Sequence, residues 1–136
     1  MTIKPGDSAS HRFTLTPELM DAFQAMSGDD SRIHTDDAFA KSRGYKGVIA
    51  YGGIMLAQLS RVVGTMLPGA NGMSVKWAIN YREPLYVGET AELRLEVAYA
   101  SKDHGLVEGK FKITCEDRTI ATGTTQSIVP KDEIAD

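Results

Sequence analysis

Tyr51-Gly52-Gly53-Ile54-Met55-Leu56-Ala57-Gln58-Leu59-Ser60-Arg61-Val62-Val63-Gly64-Thr65-Met66-Leu67 carries Arg61 as its only charge and reads as one long apolar helix, with Gly52-Gly53 near its start and Pro68-Gly69 closing it. Gln58, Arg61 and Thr65 fall at i, i+3 and i+7 and mark a narrow outward stripe. Ser60 lies about 200° around from Gln58 and is therefore expected on the buried face. After this helix the apolar period changes to two. Met73, Val75, Trp77, Ile79 and Tyr81 share one face of a half-buried strand. Ala91 to Tyr99 and Val107 to Cys115 repeat the pattern, with Gly109 in one place, and Thr119 to Val129 forms a last strand rich in Thr, Ile and Val. Short turns at Pro84–Gly88, Ser101–Gly105 and Glu116–Arg118 join them.

Upstream, Ala9, His11, Phe13 and Leu15 alternate with polar residues as a short first strand. Thr16 caps a helix that has Pro17 at its first position, Leu19, Ala22, Phe23 and Met26 on one face and Gly28 as its left-handed stop. Asp29 to His34 is too polar for a core element and reads as an ordered loop, after which Thr35 caps a short helix through Ala40. Strands grouped after helices predict an α+β domain, an antiparallel sheet with the long helix lying across one face. The charged tail from Lys131 to Asp136 is expected to fray.

A length of 136 residues predicts a single domain, 1–136, on a scale of about 150 residues per domain. Such a domain buries about two thirds of its unfolded surface and needs no disulfide or metal to hold it. The net charge of −3 offers no general attraction for nucleic acid or an anionic membrane. The longest uncharged stretches fall short of the roughly 18 apolar residues that span a bilayer. Cys115 is the only cysteine and is expected to be a buried strand residue. It and the lack of an apolar leader in Met1 to Asp7 point to a reducing, cytoplasmic location.

Four features could carry chemistry. Asp29 and His34 share one loop, and a carboxylate beside an imidazole can hold and deprotonate water, although a helix cap and a surface histidine would look the same. Gly52-Gly53 opens the apolar helix, where unpaired N–H groups favour a developing negative charge such as that on a thioester oxygen; tight packing is the other reading. Ser60 is either a site hydroxyl or a side chain bonded to the carbonyl one turn back. Lys41, Arg43 and Lys46 are either phosphate contacts or a solvated surface. His11 fits a strand face and His104 a turn, and neither is given a role.

Together these parts resemble a known pattern. Ser27-Gly28-Asp29-Asp30-Ser31-Arg32-Ile33-His34, Gly44-Tyr45 and Val48-Ile49-Ala50-Tyr51-Gly52-Gly53-Ile54-Met55-Leu56 resemble the hydratase motif of MaoC-like proteins, above all the short (R)-specific enoyl-CoA hydratases. The strand from Trp77 to Tyr81 and the turn Pro84-Leu85-Tyr86-Val87-Gly88-Glu89 extend the likeness over most of the chain.

The resemblance implies a hot-dog fold, in which a curved antiparallel sheet wraps the long helix, and a homodimer with an acyl-CoA tunnel. It implies reversible addition of water to a trans-2-enoyl-CoA, giving an (R)-3-hydroxyacyl-CoA. No metal or redox cofactor is implied, and coenzyme A is part of the substrate. Asp29 and His34 take the places of the catalytic pair, Gly52 that of the oxyanion N–H donor, and Ser60 that of a site-lining serine. Two positions depart from the pattern. Ser31-Arg32 stands where the family usually has Asn-Pro, so Arg32 is available to pair with Asp29 or to meet substrate, and Tyr51 stands where it usually has His. A hot-dog acyl-CoA thioesterase, or an acyl-CoA binding module without catalysis, would share the fold and ligand.

Overall fold

The computed structural model describes residues 2–136. Met1, part of the stretch read above for a leader, lies outside it. Five strands form one antiparallel sheet in the order β1-β3-β4-β5-β2. β1 (Ser8–Thr14) and β2 (Met73–Tyr81) are its edges, and β3 (Thr90–Ser101), β4 (Leu106–Cys115) and β5 (Arg118–Ile128) fill the middle. The long helix, α4 (Gly52–Thr65), packs against β1, β2 and β3. This is the α+β, hot-dog architecture expected from the sequence.

The period of two explains the core. Leu93, Leu95, Phe111 and Ile113 face each other across β3 and β4 and are buried, as is Cys115. From the other side Ile54, Met55, Leu59, Val62 and Val63 of α4 close the same core. A buried Leu or Ile contributes roughly 1.5–3 kcal/mol, so these two faces dominate the stability. A register shift between Val97 and Tyr99 breaks the alternation, and Tyr99 is exposed rather than continuing the buried row.

The first helix follows its sequence signals. In α1 (Pro17–Ser27) the Leu19 N–H donates to the Thr16 hydroxyl at 3.2 Å, and Gly28 ends the helix at φ 75°. The polar loop beyond it holds a single helical turn, α2 (Arg32–Thr35), and then α3 (Asp37–Ser42). The cap of α3 is Asp36, which accepts from the Phe39 N–H at 3.0 Å. Thr35 instead turns its hydroxyl back to the Asp30 and Ser31 carbonyls.

Three further expectations are corrected. Gln58 turns toward the sheet, because the His11 Nε2–H on β1 donates to its Oε1 at 3.1 Å. With Gln58 inward, Ser60 is exposed, and the outward stripe of α4 runs through Ser60, Arg61 and Thr65. β2 is less covered than its alternation predicts. α4 and β5 half-bury Trp77 and Ile79, but Met73 is 63% exposed and Val75 51%, since β2 is an edge strand with only β5 beside it. The tail is docked: Ile3 and Ala135 exchange backbone bonds with their neighbours across the gap, and Ile134 is buried. One apolar side chain that finds a core site holds the whole segment. Among the described residues no helix is long and apolar enough to cross a membrane.

Candidate active site

His34 sits on the single turn of α2, and its ring is fixed from two sides. Its Nδ1–H donates to the Ile49 carbonyl at 2.8 Å. A carbonyl only accepts, so the proton of the neutral ring lies on Nδ1 and Nε2 is left as the basic nitrogen. The Ile49 N–H returns a bond to the Ile33 carbonyl at 3.2 Å, tying the two loops together. On its face the imidazole stacks on Tyr51, with centroids 4.2 Å apart and planes at 27°. The half-buried ring opens on a cavity of about 390 Å³, shared with Gly52, Met55, Leu85, Tyr81 and Arg82.

Asp29 lies on the exposed loop just before α2, outside the lining of that cavity. Its Oδ1 accepts from the Ser31 N–H at 2.9 Å, closing a tight turn. The Ser31 side chain and N–H hold its carboxyl below the usual range. Asp29 is therefore an ionised acceptor at neutral pH. Arg32 does not pair with it: the guanidinium meets Asp36 at 3.3 Å and lies over the Phe39 ring.

The backbone of Asp29 is anchored by Tyr51, whose hydroxyl donates to the Asp29 carbonyl at 2.7 Å. Tyr51 is 1% exposed and packs on Phe23 as well as on His34. Burial, and then the charges of Asp29, Asp30 and Asp21, push its phenol above the ordinary value, so it remains a donor. One side chain thus contacts both members of the Asp29–His34 pair and immediately precedes Gly52.

Gly52 and Gly53 are the first two residues of α4, where N–H groups have no intrahelical acceptor. Both positions also need glycine for space. A Cβ on Gly52 would meet the Tyr81 phenol at 2.6 Å, and one on Gly53 would meet the Phe23 ring at 2.3 Å. Only Gly52 lines the His34 cavity; Gly53 is a packing position. Ser60 does not line it and stands eight residues along α4, about 12 Å at 1.5 Å per residue. Lys41 and Arg43 are exposed on and after α3, and Lys46 lines a separate cleft with Asp37 and Glu89. Phosphate contacts by these three would be made outside the cavity. Sequence reasoning did not single out Tyr45, Tyr81 and Arg82, which do line it. Tyr81 gave one signal, as the polar-tipped residue ending the inner face of β2.

Residues 3–117 match the family described as "MaoC like domain". The chain belongs to this MaoC-like family. A relative named 3-hydroxybutyryl-CoA dehydratase, from Methylorubrum extorquens, is 30% identical over 84% of this chain and 73% of its own length. The (R)-specific enoyl-CoA hydratase of Rhodospirillum rubrum is 26% identical over 94% of this chain and 89% of its own. The fold is shared with a solved structure titled as an (R)-hydratase from A. caviae involved in PHA biosynthesis. It superposes with a TM-score of 0.89 at 22% identity, covering 94% of this chain and 98% of that one.

Proposed function

We propose that this MaoC-like chain is a hydro-lyase, an (R)-specific enoyl-CoA hydratase that adds water reversibly to a trans-2-enoyl-CoA. The observation that carries the reading is the hydrogen bond from His34 to Ile49, which leaves Nε2 as the free basic nitrogen of a ring that lines the same cavity as Gly52. The names of the relatives support the same chemistry.

In the proposed reaction a water held between His34 and the Asp29 carboxylate attacks C3 of the enoyl group. Its proton passes to Nε2 as the new C–O bond forms. The π electrons of the C2=C3 bond shift onto the thioester oxygen, where the Gly52 N–H stabilises the charge. The enolate then collapses and C2 takes up the proton, so that one water has been added in all. The step uses no metal or redox cofactor, and coenzyme A enters only as part of the substrate.

We further propose that residues 1–136 act as one domain, in the cytoplasm, and as a homodimer. The open edge of β2 supports the last point, since it leaves unpaired backbone groups beside exposed Met73 and Val75. The catalytic assignment is tested by Asp29→Asn and His34→Ala, each expected to lower turnover by about 10²–10⁴-fold in folded protein. Full rate in both variants would overturn it.

A further inference from the structure

Tyr81 ends β2 on the inner face of the sheet, opposite Ala121 of β5, and lines the cavity that holds His34. Both Cζ and Oη of its phenol stand 2.6 Å from the place a Cβ on Gly52 would occupy. In a helix the Cα–Cβ bond tilts toward the N-terminus. A group filling that place therefore lies against the first residue of α4, whose N–H has no intrahelical acceptor.

The hydroxyl of Tyr81 is also uncommitted. The Tyr51 hydroxyl donates to Asp29 and that of Tyr86 accepts from the Lys46 N–H, but that of Tyr81 has no partner among the described residues. Loss of water around the ring holds its pKa above the ordinary value of 10.0, so it stays a donor at neutral pH. Oxyanion sites combine backbone N–H groups with side-chain donors, including tyrosine hydroxyls, aimed at the oxygen where charge develops. Tyr45 and Arg82 also line the cavity, but the phenol of Tyr81 is the side-chain group that stands against Gly52.

We propose that the Tyr81 hydroxyl is the second donor to the thioester oxygen of an acyl-CoA, beside the Gly52 N–H, and so a further catalytic residue. This rests on the hydratase reading above. The N–H of residue 52 is then one donor, and the missing side chain of glycine there admits the other.

The test is Tyr81→Phe in the full chain, which keeps the ring and removes only the hydroxyl. Turnover of crotonyl-CoA is expected to fall by about 10- to 100-fold, somewhat less than a fully enclosed donor costs, with KM changed less than the rate and thermal stability unchanged. The carbonyl stretch of bound, unreactive butyryl-CoA, followed by isotope-edited infrared difference spectroscopy, is expected at higher frequency in the variant. A merely structural role would move stability or KM and leave that frequency alone. Unchanged turnover and frequency in Tyr81→Phe, with an active parent, overturn the donor role and leave the hydratase reading intact. An inactive parent overturns the hydratase reading, and the frequency of bound butyryl-CoA then decides the donor role by itself. Failure of butyryl-CoA to bind the parent overturns both.

Discussion

The Tyr51 hydroxyl donates to the Asp29 carbonyl at 2.7 Å while the Tyr51 ring stacks on His34. Tyr51 thereby sets the spacing of two residues that do not hydrogen-bond each other. Its place, directly before Gly52, couples the loop carrying the pair to the start of α4.

Replacing Tyr51 by Phe keeps both ring contacts and removes the bond to Asp29. Stability is expected to fall by about 0.5–1.5 kcal/mol, the net worth of one hydrogen bond. Turnover is expected to fall more than that suggests, by roughly 10- to 100-fold, because small misplacements of reacting groups are costly. Urea titration and steady-state rates check the two separately; a stability loss with full turnover would show that the bond does not position Asp29.

The two glycines that open α4 are expected to respond differently to alanine. At Gly53 the new methyl meets the half-buried Phe23 ring, and overpacking of this kind costs about 1–3 kcal/mol. At Gly52 it meets the tip of Tyr81, which is 53% exposed and can swing aside. Thermal melts should therefore separate Gly53→Ala from the parent more than Gly52→Ala. Hydration rates should single out Gly52→Ala, since the displaced phenol and the crowded N–H both face the cavity. Equal melting losses in the two variants would contradict this division.

Glu89 fixes the turn beneath the cavity to β5. It is ion-paired with Arg118 and accepts from the Tyr86 N–H, while Arg118 also donates to the Pro84 carbonyl. Burial works to raise the Glu89 carboxyl, but the bonds from Arg118 and Tyr86, with the charges of Arg118 and Lys46, outweigh it and hold it below 4.5. A carboxyl depressed on folding stabilises the fold above its ordinary value, and that contribution is lost as pH falls through the depressed one. Glu89→Gln should then be less stable than the parent by at most about 1 kcal/mol at pH 7, after solvent screening. The gap should close below pH 4.5, as denaturant titrations at several pH values would reveal. A gap that persisted through strongly acidic pH would refute the ion-pair account.

Charges placed on the open edge should keep copies of the chain apart. Met73→Lys with Val75→Lys sets like charges on a strand that has a partner on one side only. Sedimentation is expected to show a dimer for the parent and a monomer for the double variant. A monomeric parent, or a dimer that survives both lysines, would rule out assembly through β2.

The sheet and its helix were legible because their signals are periodic. Alternation across Leu93, Leu95, Phe111 and Ile113 marks a buried face without knowledge of the partner strand, and the apolar run from Ile54 to Val63 marks the helix that covers it. Single polar residues were harder. Gln58 looked outward until His11, 47 positions away, supplied its partner, and that bond also explains the exposure of Ser60. Ile134 looked like part of a frayed tail because its packing against Ile3 spans nearly the whole chain. At the site the motif placed His34 and Gly52 on one cavity, while Tyr81 arrived through strand pairing that local sequence does not encode. Nor does it reveal that Arg32 is held by Asp36 and Phe39.

The central claim is most directly tested by mixing the purified protein with crotonyl-CoA, following the loss of enoyl-thioester absorbance and resolving the product on a chiral column. The account predicts rapid loss of the absorbance with formation of the (R)-3-hydroxy thioester. Release of free thiol from a saturated acyl-CoA, or saturable binding with no turnover on short, long and branched enoyl-CoAs, would contradict it.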